Sequence, residues 1–379
     1  MKLYGDGIHD DTEAIQNLLD EKKRVVRLPL PDVCYMISKP LRIHSYQKLE
    51  LDRFCHIKLM DNSNCMMLIN ADEENEWIEV TGGIWDLNNL GQMKNPFLFP
   101  HDEYPDYCGF SIYFNKVKNL RLSDLTMKDP VTFAITLEYV EQFTVENITF
   151  DFNHGNPFPV NMDGVHLNGG CKFGVIRNLK GTCYDDLVAI NAPEGEKGDI
   201  TDIQVDGLFA YDCHSAVRIH TGDEVIRNIS ISNVYGTYYQ YCIGFSTPDD
   251  SKTMTGYFDN ITIKNIYASK AVRHSIYQKD NTFVYPLIWV QETRTVKNLH
   301  ISELYRDEEN VAVPAIWVKP TAAVENMVVS NVVQKNYTGE KMPVIENGGR
   351  IDNLVVQNIR AYDDEVIKND GEIKNLQGV

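Results

Sequence analysis

The chain has 379 residues and a formal net charge of −18, from 36 Lys and Arg against 54 Asp and Glu. Such acidity excludes nucleic acid and an anionic membrane surface as principal partners, because both reward a basic face. With 43% hydrophobic and 24% charged residues, the composition is that of a soluble globular protein, which excludes disordered and collagen-like classes; no apolar run is long enough to span a bilayer.

The opening residues, Met1-Lys-Leu-Tyr-Gly-Asp, contain no apolar h-region. A chain without a signal peptide is expected, either cytoplasmic or a trimmed secreted or virion protein. From Thr12 the spacing predicts a helix: Ala14, Ile15, Leu18 and Leu19 share one face, with Asp10 and Asp11 at the positive N-terminal end. The eight cysteines form no CxxC pair, so zinc-ribbon and thioredoxin chemistry lack support. Cys183, Cys213 and Cys242 nevertheless follow one another at steps of 30 and 29 residues.

That step belongs to a longer pattern. Asn, an apolar-x-apolar strand, then Asn or Asp five residues after the first recurs from Asn119 (with Asp124) through Asn228, Asn260, Asn326 and Asn353. Asn298-Leu-His-Ile keeps the strand but puts Glu303 in the turn. Each phrase is a short alternating strand, and Asn suits the turns because it tolerates left-handed backbone. A second phrase repeats at Pro286-Leu-Ile-Trp, Pro314-Ala-Ile-Trp and Pro343-Val-Ile-Glu. Short strands, two or three per period and with no helical pattern between them, indicate coils of parallel β-structure. A sandwich or propeller would instead centre Asn-Gly or Asp-Gly turns between paired strands. Here Asp163-Gly164, Asp206-Gly207 and Asn347-Gly348 are not so placed. An all-β fold is therefore expected: a single parallel β-helix over residues 1–379, with 1–24 forming an opening turn and capping helix and 25–379 the coils. The cap shields strand edges that an open solenoid end would expose.

The opening Gly5-Asp-Gly-Ile-His-Asp-Asp-Thr-Glu-Ala-Ile-Gln16 resembles that of the pectate-lyase-like right-handed β-helix proteins. From about Leu120 to Phe245 the chain resembles glycoside hydrolase family 28, the polygalacturonase family. Asn161-Met-Asp163-Gly is similar to its Asn-x-Asp-Gly strand, Asp185-Asp186 to its Asp-Asp segment, and Cys213-His214-Ser215 to its Gly-His-Gly. The resemblance implies glycosidic hydrolysis with inversion and with neither metal nor cofactor: Asp185 as general acid, and Asp163 with Asp186 holding and deprotonating the water. His214 completes the catalytic set, and Asn161, His166, Arg218 and His220 are candidates for substrate binding. Spacing is compatible with this, since Asp163 to Asp186 is 23 residues and Asp186 to His214 is 28, each about one coil. The apolar pairs Val165/Leu167, Val188/Ile190, Val217/Ile219 and Ile243/Phe245 keep the same register.

Two departures bear on substrate. Where the family carries an Arg-x-Lys that grips a uronate carboxylate, this chain reads Gly244-Phe-Ser246, and Arg218 one coil earlier is the available substitute. His214 also stands one residue earlier, relative to its apolar pair, than Asp186 does. A carbohydrate partner neutral at the cleaved bond is expected, pectin-related or another plant or microbial glycan. Trp289 and Trp317, 28 residues apart, favour ladder packing over sugar stacking, and Asn-x-Ser/Thr at Asn147, Asn228, Asn260 and Asn336 reads as turn chemistry. The rivals are a non-catalytic glycan-binding protein of tailspike type, which would trimerise where the hydrolase would be monomeric, and a polysaccharide lyase on the same scaffold.

Overall fold

The computed structural model describes residues 2–100, 107–248, 253–272, 284–362 and 364–378. The chain forms two compact units, Met1–Leu167 with Cys171–Asp185, and Asn168–Gly170 with Asp186–Val379. The fold is a parallel β-helix, as the repeat indicates, and right-handed, as the resemblance implies; among the described residues the strand pairs are parallel.

In the first unit the helix Thr12–Asp20 buries Ala14, Ile15 and Leu19, while Leu18 stays half-buried. Asp10 accepts from the Thr12 N–H at 2.9 Å, and Asp11 turns back to accept from Tyr4 and Gly5. Gln16 and Gln47 tie the helix to the coils, Gln16 through both backbone groups of Arg42 and Gln47 through the Leu19 carbonyl. Each coil then supplies short strands to successive faces. One face stacks Leu41–Ile43, Leu68–Asn70, Ile112–Asn115, Ile135–Glu138 and Val165–Leu167. Val165 and Leu167 point inward, fully buried.

The second unit stacks short strands Asp186–Asn191, Ser215–His220, Ile243–Ser246, Ile288–Val290, Ile316–Val318, Ile345–Asn347 and Ile367–Asn369. Opposite them run long strands such as Val225–Tyr238, Tyr257–Lys270, Thr295–Glu308 and Ala323–Asn336. Val188, Val217 and Ile243 form one inward column and Ile190, Ile219 and Phe245 the next, all fully buried. β-Branched residues dominate because the pleat presents them to identical neighbours one rung away.

The recurring asparagines have a double role. Asn233, Asn265, Glu303, Asn331 and Asn358 hold φ near 55°, bending each long strand at the same place. Left-handed backbone is costly for most L-residues and least so for Gly and Asn; Gly207 supplies it in the strand Ile200–Cys213. The first asparagines of each phrase form an amide ladder: Asn260 donates to Asn228 at 3.1 Å, Asn326 to Asn298 at 3.0 Å, and Asn353 to Asn326 at 2.9 Å. Asn147, Asn228 and Asn260 are thereby engaged within the coils.

Candidate active site

The candidate aspartates and His214 sit at the entrances of short strands, ahead of the inward apolar pair, while His166, Arg218 and His220 lie within the strands. In the first unit, Asp163 precedes Val165–Leu167 and is 2% exposed. The His166 Nδ1–H donates to its carboxylate at 2.8 Å. The buried imidazole lies flat on Phe133, with ring centroids 3.8 Å apart. Phe133 in turn stacks on Phe110. His166 is thus a buried partner of Asp163, and its orientation is fixed from both sides. Asn161, at φ 57°, accepts from Asn95 at 3.2 Å.

The next rung of this unit brings Tyr184 and Asp185. The Tyr184 N–H donates to the Met162 carbonyl at 3.2 Å, so the Asn161–Asp163 and Tyr184–Asp185 segments run on neighbouring rungs. Asp185 is 9% exposed.

In the second unit, Asp186 opens the strand Asp186–Asn191 and is 1% exposed. The Ser215 hydroxyl donates to its carboxylate, and Arg218 Nη1 lies 4.0 Å away. An Asp186 oxygen and a His214 ring nitrogen lie within 4.8 Å of one another. His214 is itself buried and meets the edge of the Tyr239 ring at 5.2 Å. The register pairs Asp186 with Ser215, which agrees with the one-residue offset of His214. A bulge just upstream, between Ala210 and Cys213, places Asp212 at φ 50°.

Arg218 donates from Nε to the Ser246 hydroxyl at 3.0 Å, and its Nη2 lies 3.2 Å from His220 Nδ1. His220 Nδ1 is also 2.9 Å from Ser246. Register places Gly244 beside Arg218 and Ser246 beside His220. Gly244 has a steric cause: a Cβ there would come within 2.5 Å of the Tyr241 ring. Tyr241 stacks on Trp289 at 5.5 Å, and Tyr285 meets Trp289 edge-on at 4.9 Å. An aromatic cluster therefore stands beside the position of the family's cationic clamp. Trp289 is buried in it, and Trp317, in register one rung on, lies under the Lys319 ammonium.

Carboxylates flanked by imidazole and guanidinium can exchange protons with a substrate, and a carboxylate–imidazole set is also a donor set for a divalent cation. Sequence reasoning missed Ser215, Ser246, Phe133 and Tyr241. Ser215 had one available signal, its parity with the inward Val217 and Ile219.

Residues 107–267 match the model of Glycosyl hydrolases family 28, a span holding every candidate residue above. The resemblance read from the motifs therefore holds over these coils. Among solved structures, the chain is similar to the family 28 exopolygalacturonase of Yersinia enterocolitica, at 14% identity over 99% of this chain and 76% of that one, with TM-score 0.57. It is similar to the hyperthermoactive exopolygalacturonase of Thermotoga maritima, at 17% identity over 93% and 89%, TM-score 0.55. It is also similar to the tailspike of Escherichia coli bacteriophage HK620, at 13% identity over 93% and 67%, TM-score 0.57. At these identities the likenesses establish the fold. No curated protein matches the chain.

Proposed function

We propose that this protein is an inverting glycoside hydrolase acting on a glycan that is neutral at the cleaved bond. The observation carrying this reading is the burial of aspartates at strand entrances: in the first unit Asp163 and Asp185 on neighbouring rungs, and in the second Asp186 held by Ser215 and near Arg218, all within the span matched by the family.

Glycoside cleavage needs one protonated carboxyl to donate to the leaving oxygen and one carboxylate to activate water on the opposite face of the sugar. Neighbouring aspartates such as Asp163 and Asp185 suit this, because two like charges cannot both ionise at low cost and one acid then keeps its proton. In this proposal Asp185 is the acid, while Asp163 and Asp186 hold and deprotonate the water. His166 fixes the Asp163 carboxylate. Asn161, His214, Arg218 and His220 orient the sugar. The chemistry requires no metal, and inversion sets a separation of roughly 6.5–9.5 Å between acid and base.

Substrate charge follows from Gly244. Tyr241 leaves no room for a cationic side chain there, and Arg218 is engaged with Ser246. A uronate carboxylate would lack its main counter-charge, which favours a neutral sugar and weighs against a β-eliminating lyase. A non-catalytic glycan binder of tailspike type is the second reading, favoured by the likeness to the HK620 protein, whose structure holds a pentasaccharide.

The deciding experiment screens a glycan library with wild type and Asp185→Asn side by side. The variant is nearly isosteric, and its activity should fall about 10²- to 10⁴-fold, the usual contribution of a general acid. An aryl glycoside with a good leaving group should be partly spared. Proton NMR of the first product should show the inverted anomer. Full activity of Asp185→Asn overturns the assignment, an unsaturated product indicates the lyase, and binding without turnover across the library indicates the tailspike-type reading.

A further inference from the structure

We propose that Lys270 is a positioning residue: from inside the coil it fixes the Tyr239–Gln240 turn, and through it His214 and the Tyr241 ring, without touching substrate. Only the activity readout of this proposal rests on the glycosidase reading above.

Lys270 ends the strand Tyr257–Lys270 and follows Ile266 and Ala268 on the inward side, with 1% of its surface exposed. Its Nζ donates to the main-chain carbonyl of Tyr239 at 3.2 Å and to that of Gln240. The N–H groups of the same two residues donate onward, from Tyr239 to the Cys213 carbonyl at 3.1 Å and from Gln240 to the His214 carbonyl at 3.0 Å. The Tyr239 ring meets the His214 imidazole, and the following residue, Tyr241, covers Gly244. One side chain therefore holds both carbonyls of the turn that seats the histidine and begins the aromatic cluster.

The groups around Lys270 explain how a lysine is tolerated there. Arg306 and Glu308, both fully buried, pair at 2.7 Å. The Glu308 carboxylate also accepts from the main-chain N–H groups of Lys270, Asn310 and Val311, each at 3.1 Å. Glu308 is thus largely committed elsewhere, Arg306 opposes a second cation, and the Cys242 thiol, raised by burial, also faces the amine. Burial, with the Arg306 charge, brings Lys270 down to about 7. A neutral amine still carries two hydrogens, one for each carbonyl it meets. Methionine would fill the space and leave both carbonyls without this donor.

The test uses the full chain carrying Lys270→Met and Lys270→Gln. In the methionine variant the His214 ring and Gln240 amide NMR resonances should both shift. On a substrate found by the library screen, kcat should fall about tenfold or more, as expected of misplacement, with KM within about twofold. In wild type the Gln240 amide should titrate with an inflection near the Lys270 pKa of about 7, and this inflection should vanish in both variants. A folded Lys270→Met with wild-type His214 and Gln240 resonances overturns the proposal. Should that variant fail to fold, Lys270→Gln, which keeps an N–H donor but cannot titrate, carries the test through the Gln240 amide: persistence of the inflection near pH 7 overturns the proposal. Failure of the glycosidase reading would show in Asp185→Asn and leave the resonance test intact.

Discussion

Ser215 lies in register with Asp186 one rung on, and its hydroxyl donates to the Asp186 carboxylate. A hydrogen bond to a charged group contributes about 1.5–3 kcal/mol, and losing it would free the carboxylate to rotate. Ser215→Ala should lower kcat about tenfold while leaving KM nearly unchanged, because in the proposed mechanism the bond positions a water-activating group and does not bind sugar. Steady-state kinetics check this; wild-type kcat would remove Ser215 from the site.

Gly244 and Tyr241 should be coupled. Overpacking a buried position costs about 1–3 kcal/mol, and a methyl at Gly244 meets the Tyr241 ring. Gly244→Ala should therefore lower the urea midpoint of wild type and have little effect in a Tyr241→Ala background. Equal losses in the two backgrounds would show that the ring is not the obstacle.

Glu303 occupies the bend column that Asn265 and Asn331 share, at φ 55°. Its carboxylate side chain stands in the column between the amide contacts that join Asn265 to Asn233 and Asn358 to Asn331. Glu303→Asn should stabilise the protein by about 1 kcal/mol, since Asn tolerates left-handed backbone better. A raised thermal midpoint is the expected outcome, and a lowered one would contradict it.

Lys270 also predicts a pH dependence of stability. Its pKa falls from the ordinary 10.5 to about 7 in the folded protein. Between those values the unfolded chain binds more protons than the folded one, so this group makes stability rise with pH. Below about 7 both states hold the proton, and its contribution becomes constant. The melting temperature of wild type should gain on that of Lys270→Met from pH 7 to pH 10. Parallel curves would place the folded pKa near its unfolded value.

Much of the fold was legible because a coil returns each side chain to the same column. Asn228, Asn260, Asn326 and Asn353 repeat for that reason, and the inward pairs from Val165/Leu167 to Ile243/Phe245 keep step with them. The aspartates were visible through the same register and their motif match. The residues that hold them were less so. Ser215 was overshadowed by the adjacent histidine, and Phe133 belongs to the rung before Asp163. Trp289 was recognised as packing, yet its partners Tyr241 and Tyr285 come from separate turns. A lysine closing a strand ordinarily reaches solvent, and only the parity of Ile266 and Ala268 hinted that Lys270 turns inward.

The strands around Asn326 and Asn353 pair from Ala323 with Arg350 to Val333 with Arg360 at a constant offset. Excising Asn326–Asp352 would join Glu325 to Asn353 and set Leu354 and Val356 where Met327 and Val329 now lie. The long strands of the second unit can thus lose a whole rung and keep their register, and that rung lies away from Asp186, His214 and Arg218 in the sequence of rungs. Chain length and candidate site are separable quantities in this architecture, free to vary on independent evolutionary schedules.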